Sequence, residues 1–154
     1  RRQNFNDLHL LDIQQNAWLG EEHGMTVDRE GGLKTEGTPP CPRGNHSTSV
    51  VEHKFLLVMG GRDTSKYLDD CHCLDTETLT WTNVRTHPNP TAPMRLCSHV
   101  AEGLESVPSF KLFCFGGQTG NDKVRTEWNF RNTVDVLDCA SMTWLSSPGV
   151  VQGT

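Results

Sequence analysis

The stretch Phe55-Leu56-Leu57-Val58-Met59-Gly60-Gly61 is an apolar run stopped by two glycines, and it is followed by Asp69-Asp70-Cys71-His72-Cys73-Leu74-Asp75 and then by Trp81. The run recurs as Lys111-Leu112-Phe113-Cys114-Phe115-Gly116-Gly117. The Asp-ending segment recurs as Asn6-Asp7-Leu8-His9-Leu10-Leu11-Asp12 and as Asn132-Thr133-Val134-Asp135-Val136-Leu137-Asp138. Trp18, Trp81 and Trp144 each lie six positions after the closing Asp and are 63 residues apart in both intervals. Upstream of the second and third copies stand Pro42-Arg43-Gly44-Asn45-His46-Ser47 and Met94-Arg95-Leu96-Cys97-Ser98-His99. An ordered set of motifs that returns in the same order marks a repeat architecture. The equal interval hides compensating insertions, with 25 positions from Trp18 to Arg43 but 14 from Trp81 to Arg95. Insertions that move while the motifs stay fixed identify loops on a rigid frame, chiefly 19–38 and 118–131.

The repeat reads as β structure. Leu8, Leu10 and their counterparts alternate with polar residues at 7, 9, 70, 72 and 135, the period of a half-buried strand. The run before each glycine pair is short and continuously apolar, as in a strand covered on both faces. Each full copy therefore holds four short strands: one after the Arg/His element, one ending in Gly-Gly, one ending in Asp and one carrying Trp. No stretch carries a helical period, and the sharp turn after the apolar strand gives Gly60, Gly61, Gly116 and Gly117 a structural role.

Composition narrows the function classes. Of the 154 residues, 34% are apolar, and the formal charge is −5, from 14 basic and 19 acidic side chains. That balance supplies no basic cluster for nucleic acid. The longest unbroken apolar stretch, Phe55 to Gly61, is far short of the ~20 residues of a membrane span, and no apolar segment follows the first residues as in a signal peptide. The expectation is a soluble, cytoplasmic chain, with Cys41, Cys71, Cys73, Cys97, Cys114 and Cys139 as reduced thiols.

Arg followed within four residues by His, an apolar run closed by Gly-Gly, an apolar strand ending in Asp, and Trp six residues later together resemble the kelch motif, over most of residues 4–148. The resemblance implies an all-β fold of kelch-type β-propeller blades, each of four antiparallel strands. It divides the chain into the C-terminal half of a blade (4–19), an inter-blade insertion (20–38), a complete blade (39–85), a second complete blade (92–148) with its insertion at 118–131, and the approach to a further blade (149–154). A propeller closes with about 4–8 blades, so about two and a half form an incomplete ring that needs the remaining blades of a longer protein. The Arg95-to-His99 spacing is one residue longer than Arg43-to-His46, which predicts that one of the two histidines sits out of register. The uneven loops resemble kelch proteins outside the cullin-adaptor group.

Cys71-His72-Cys73 does not make a metal site, because neighbouring strand residues point to opposite sides and the spacing matches no zinc knuckle. Cys71 and Cys73 align with Leu8 and Leu10, so they are read as small core hydrophobes. His46 and His99 recur from copy to copy and are read as structural rather than as general bases. Trp18, Trp81 and Trp144 are expected to pack between blades, with Asp12, Asp75 and Asp138 as fixed motif positions. Copper radical oxidases share kelch-like blades but need several tyrosines, and Tyr67 stands alone here. No phosphate loop follows Gly31-Gly32 or the other glycine pairs. No catalytic residue, cofactor or metal is therefore assigned.

Blade topology places the start of the first strand and the link between the second and third on one rim. There Arg43, Arg62, Asp63, Arg95 and Gln118 are candidate contacts for a protein or peptide partner, and Trp128 in the 118–131 insertion is a candidate aromatic anchor. Arg43 and Arg95 serve equally well as intra-blade salt bridges, whereas Arg62 and Gln118 differ between copies, as specificity positions do. The functional expectation is a non-enzymatic protein-interaction module within a larger protein. The alternatives are an architectural propeller of a large cytoskeletal or ciliary assembly, and the substrate-receptor propeller of a ubiquitin ligase, which requires an adaptor domain not found in these residues.

Overall fold

The structure is a computed structural model that describes residues 3–29, 31–84, 96–105, 109–119 and 129–145. Strands β1 (Leu10–Asp12) and β2 (Ala17–Leu19) form a hairpin, and a short β3 (Glu36–Gly37) follows it. Then come β4 (Ser47–Val51), β5 (Phe55–Met59), β6 (Cys71–Asp75) and β7 (Thr80–Val84). Last are β8 (Val100–Leu104), β9 (Lys111–Phe115), β10 (Gln118–Thr119), β11 (Asn129–Phe130), β12 (Val134–Asp138) and β13 (Thr143–Leu145). The repeats fold as antiparallel meanders, β4-β5-β6-β7 in one sheet and β8-β9-β12-β13 in the next. The period-two pattern of Ser47–Val51 buries Ser47, Ser49 and Val51 and exposes Thr48 and Val50.

The Asp-to-Trp unit is the same device three times. In register, Leu11 faces Trp18, Leu74 faces Trp81 and Leu137 faces Trp144. The Asp closing each strand caps the turn. Asp12 Oδ1 accepts the amides of Gln14 and Gln15, Asp75 Oδ1 those of Glu77 and Thr78, and Asp138 Oδ1 that of Ser141. A left-handed residue ends each turn, at Asn16, Leu79 and Met142 with φ of 51°, 53° and 50°. Short polar side chains favour such turns because they satisfy backbone donors that the hairpin leaves unpaired.

The core lies between sheets rather than within one. Leu57, Met59 and Cys71 of the first full sheet pack with Ala101, Leu112, Cys114, Leu137 and Trp144 of the second. On the other side of the first sheet, Val58, Leu74 and Trp81 pack with Leu8 beside the N-terminal hairpin. Trp81 and Trp144 therefore each seal their sheet against the one before it. Trp18 departs from that expectation: it is 64% exposed, with His9 edge-on at 6.1 Å, because no preceding sheet lies against it among the described residues.

The histidines correct a second expectation. Asn45 and Ser98 share the left-handed conformation at 57° and 58°, and a Cβ on Gly61 or Gly117 would lie 2.9 or 2.8 Å from the Cβ of His46 or His99. Both histidines are thus in register, and the extra residue displaces the arginine. Leu96, not Arg95, stands where Arg43 stands in the preceding copy.

Gly60 and Gly61 let two sheets meet backbone to backbone. A Cβ on Gly60 would fall 2.4 Å from the Leu96 carbonyl oxygen of the next repeat, and Gly61 N–H donates to that oxygen at 2.7 Å. Beside this contact Ser47 Oγ meets His99 Nε2 at 2.7 Å, and Ser49 Oγ donates to the Ala101 carbonyl at 2.7 Å. Polar side chains thus link β4 to β8, the facing first strands of the two sheets.

The 20–38 insertion has structure of its own. It includes a 3-10 turn at Glu21–His23, and β3 pairs parallel with β7, Gly37 opposite Trp81, sealing that outer edge. The β4–β5 turn places both Glu52 and His53 in left-handed conformations, φ 53° and 56°, where Asn-Gly is preferred. Replacing this pair with Asn-Gly is expected to raise unfolding stability by about 1 kcal/mol, measured by urea denaturation.

Candidate functional site

Arg43 anchors the inside of its blade. Its side chain is 2% exposed, and Nη1 and Nη2 bind the two Asp70 oxygens at 2.6 and 2.8 Å. Nη1 also donates to the Gly60 carbonyl, and Nε to that of Cys41. The Asp70 carboxylate meets His72 Nε2 at 3.1 Å as well. Burial alone would raise the Asp70 pKa, but the hydrogen bonds and charge of Arg43, with His72 behind, hold it below the ordinary 3.8. Of the two readings of Arg43, the structure supports the intra-blade ion pair and removes this residue from the rim contacts, because its donors are spent inside the sheet. In the following repeat Leu96 replaces Arg43 and Thr133 replaces Asp70, so the ion pair disappears as a unit. There Arg131 serves a neighbouring acid, Asp135, at 2.7 Å.

Arg62 is different. It is exposed, its guanidinium lies 5.5 Å from the Tyr67 ring centroid, and among the described residues no carboxylate pairs with it. Its backbone is fixed by reciprocal hydrogen bonds with Gly44 at 2.8 and 2.9 Å, and Asn4 Nδ2 reaches its carbonyl at 3.4 Å. Asp63 is engaged locally, its Oδ1 accepting the amides of Ser65 and Lys66 at 2.6 and 2.7 Å. Burial pushes the Asp63 carboxyl up, yet these hydrogen bonds leave it below its usual value. Asn4, Gly44, Asn45, Arg62, Asp63 and Thr64 line a cavity of about 430 Å³. The site is an open polar cup with one cation held by an aromatic face, suited to a carboxylate or carbonyl cluster on a partner.

Gln118 is the structural counterpart of Arg62, exchanging backbone hydrogen bonds with Cys97 at 2.9 and 3.1 Å as Arg62 does with Gly44. It lines a second cavity of about 330 Å³ with Ser98, Val100, Phe115, Phe130 and Arg131. Arg62 and Gln118, at one position of successive repeats, thus each open onto a cavity, the first presenting an arginine with no carboxylate on it among the described residues, the second a more apolar wall whose cation, Arg131, is paired with Asp135. Arg95 and Trp128 lie outside the described residues.

Cys71, Cys114 and Cys139 are buried thiols that burial holds protonated. Burial pushes the Cys71 thiol up to about 12 and Cys139 to about 11, and Cys114 is raised further by the same cause. Cys71 lies in the inter-sheet core, whereas His72 turns to Asp70. Sequence reasoning missed Asp70 as the partner of Arg43, Tyr67 as the support of Arg62, and Ser47 as the hydrogen-bond partner of His99.

Sheets of this order, stacked face to face with a glycine-pair contact between repeats, define a β-propeller assembled from four-stranded blades. The family model described as the KLHDC2/KLHL20/DRC7 Kelch-repeats domain matches residues 1–148, and the chain belongs to the kelch-repeat family. It is 40% identical over 120 residues to the dynein alpha chain of the flagellar outer arm of Chlamydomonas reinhardtii, covering 73% of this chain and 2% of that one. It is 32% identical over 112 residues to kelch domain-containing protein 1 of mouse, covering 73% and 24%. It is 30% identical over 121 residues to the rat Rab9 effector protein with kelch motifs, covering 77% and 28%. The chain therefore spans only a small part of each relative.

The ion pair yields a two-part expectation. Arg43→Leu alone strands the Asp70 carboxylate and costs about 2–3 kcal/mol, discounted from a fully buried pair because Asp70 is partly open. Arg43→Leu with Asp70→Thr, the pair found in the next repeat, recovers most of that loss in denaturant unfolding. The unfolded chain protonates Asp70 near 3.8 while the folded chain holds the carboxylate to lower pH, so the pair's contribution is complete above about pH 4 and fades as pH falls further. Stability measured against pH should show this acid limb weakened in the double variant.

Proposed function

We propose that these blades act as a non-enzymatic protein-interaction module of a larger kelch protein, with the Arg62 cup as a principal contact. The observation that carries the reading is the contrast between two arginines on neighbouring segments. Arg43 is consumed inside the blade, while Arg62 is exposed, braced by Tyr67 and open to a cavity. A braced guanidinium loses little freedom on binding and pairs well with a planar carboxylate. Gln118 in the counterpart cup adds a neutral hydrogen-bonding position, so the two cups together favour a partner with an acidic group next to a polar or apolar one. The printed names of the relatives include an effector of Rab9 and a dynein chain, which supports an interaction role without naming a partner for this chain.

The architectural alternative rests on a different observation. The 40% identity to a flagellar outer-arm dynein chain favours a fixed place in a cytoskeletal or ciliary assembly. Both readings use the same cups, one for exchangeable and one for permanent contacts. In affinity purification of the full-length protein from its own cells, Arg62→Ala is expected to reduce recovered partners at least severalfold while the double Arg43→Leu, Asp70→Thr variant does not. Unchanged recovery with Arg62→Ala and Gln118→Ala combined would reject the cup. Co-sedimentation with an axonemal or other insoluble particle, unaffected by mild salt, would favour the architectural role.

A further inference from the structure

Residues 63–66 form a loop beside the Arg62 cup, closed by the bridge between Arg62 and Tyr67. On either side of it the backbone is held to the blade, Arg62 by its exchange with Gly44 and Leu68 by the hydrogen bond from its amide to the Gly61 carbonyl at 2.9 Å. Within the loop the hydrogen bonds are its own. The Asp63 amide donates to the Lys66 carbonyl at 3.1 Å, and Asp63 Oδ1 accepts the Ser65 and Lys66 amides and, at 3.0 Å, the Ser65 hydroxyl. Thr64, Ser65 and Lys66 are exposed. The loop can thus open without breaking a hydrogen bond to another strand among the described residues, and one carboxylate oxygen organises it.

Arg62 stands three positions before Ser65. Protein kinases with acidic groups along the substrate groove select an arginine at that distance, because a guanidinium makes paired, charge-assisted hydrogen bonds to carboxylates. Arg62 is exposed and carries no carboxylate among the described residues, so its charge is available for that pairing. The interval from Arg95 to Ser98 is the same. Ser98, however, has a left-handed backbone, φ 58°, and its amide donates to the Asn45 carbonyl of the preceding repeat at 2.9 Å. Drawing Ser98 into an extended form breaks a joint between repeats, whereas drawing out Ser65 breaks only the bonds to Asp63.

We propose that Ser65 is a phosphorylation site and that its phosphorylation shuts the Arg62 cup. The kinase transfers the γ-phosphoryl group of ATP to Ser65 Oγ, forming one P–O bond, breaking the bond to the β-phosphate and releasing ADP and the hydroxyl proton. The product sets a charge of about −1.5 to −2 against the Asp63 carboxylate, which it repels, on a loop flanked by Arg62 and carrying Lys66, which it attracts. Asp63 then loses the Ser65 and Lys66 amides, and Arg62 leaves the Tyr67 ring for the phosphate. An acidic partner meets a cup whose cation is already paired. This last consequence rests on the reading of the cup as a partner site; the phosphoryl transfer and the loop change do not.

The test uses the full-length protein, ATP and the catalytic domain of a protein kinase selective for arginine three positions before its acceptor. Mass spectrometry is expected to place phosphate on Ser65, with incorporation reduced about fivefold in Arg62→Ala and abolished in Ser65→Ala. The Ser65 and Lys66 amides should exchange with solvent deuterium about tenfold faster after phosphorylation, while those of Leu57 and Leu112 keep their rates. Asp63→Asn retains an oxygen acceptor but removes the like charge, so phosphorylation should change loop exchange far less in that variant. No incorporation at Ser65, phosphate on Thr64 or Ser98 alone, or unchanged loop exchange in fully phosphorylated protein would overturn the proposal. Partner recovery separates it from the reading on which it rests. If Arg62→Ala leaves recovery unchanged, the cup fails while phosphate position and exchange still decide the site; if Arg62→Ala lowers recovery and phosphorylation does not, the shutting of the cup is rejected by itself.

Discussion

The contact at Gly60 is the constraint on which the remaining structure depends. With a Cβ there, the Leu96 carbonyl would be overlapped at 2.4 Å, so the sheets meet only because this position has no side chain. Once the backbones touch, the Gly61 amide reaches Leu96, and Ser47 falls within reach of His99. The Arg43 guanidinium then finds the Gly60 carbonyl pointing inward, and Asp70 neutralises the buried charge. A single steric permission thus sets the sheet spacing, and polar groups fill the positions that this spacing creates.

That arrangement accounts for the modest apolar content. No sheet has a core of its own. The buried leucines at 57, 74, 112 and 137 sit at boundaries between successive units, and each boundary shares its apolar area with a neighbour. Faces without a neighbour among the described residues stay open, as at Trp18 and at Val100, Leu104 and Phe115. Stability in such an array comes from intrinsic unit terms plus nearest-neighbour interfaces rather than from one central mass.

Much of the architecture was legible because its determinants are local. Strand periodicity, the glycine pair and the Asp-to-Trp interval need only the residues themselves, and the three turns capped by Asp12, Asp75 and Asp138 follow from one repeated sequence. The side-chain assignments were less legible because they depend on pairs. Aligning the copies from arginine suggested that Arg43 and Arg95 are equivalent, and aligning them from histidine pairs Arg43 with Leu96. Only the second alignment reveals that the loss of Arg coincides with the change of Asp70 to Thr133. The bracing of Arg62 by Tyr67 was hidden for another reason: the two are joined by a loop conformation that Asp63 sets through its bonds to Ser65 and Lys66. The parallel strand at Glu36–Gly37 left no periodic signal, being two residues long.

That short strand has a consequence for how the chain is divided. It belongs in sequence to the linker after the first unit, yet in space it is the outer margin of the second. Repeat boundaries and mechanical boundaries therefore do not coincide. Pulling the first unit away would peel the protecting strand from its successor, so these two units are interlocked like overlapping roof tiles, and damage at this joint exposes a bare hydrogen-bonding margin on the second.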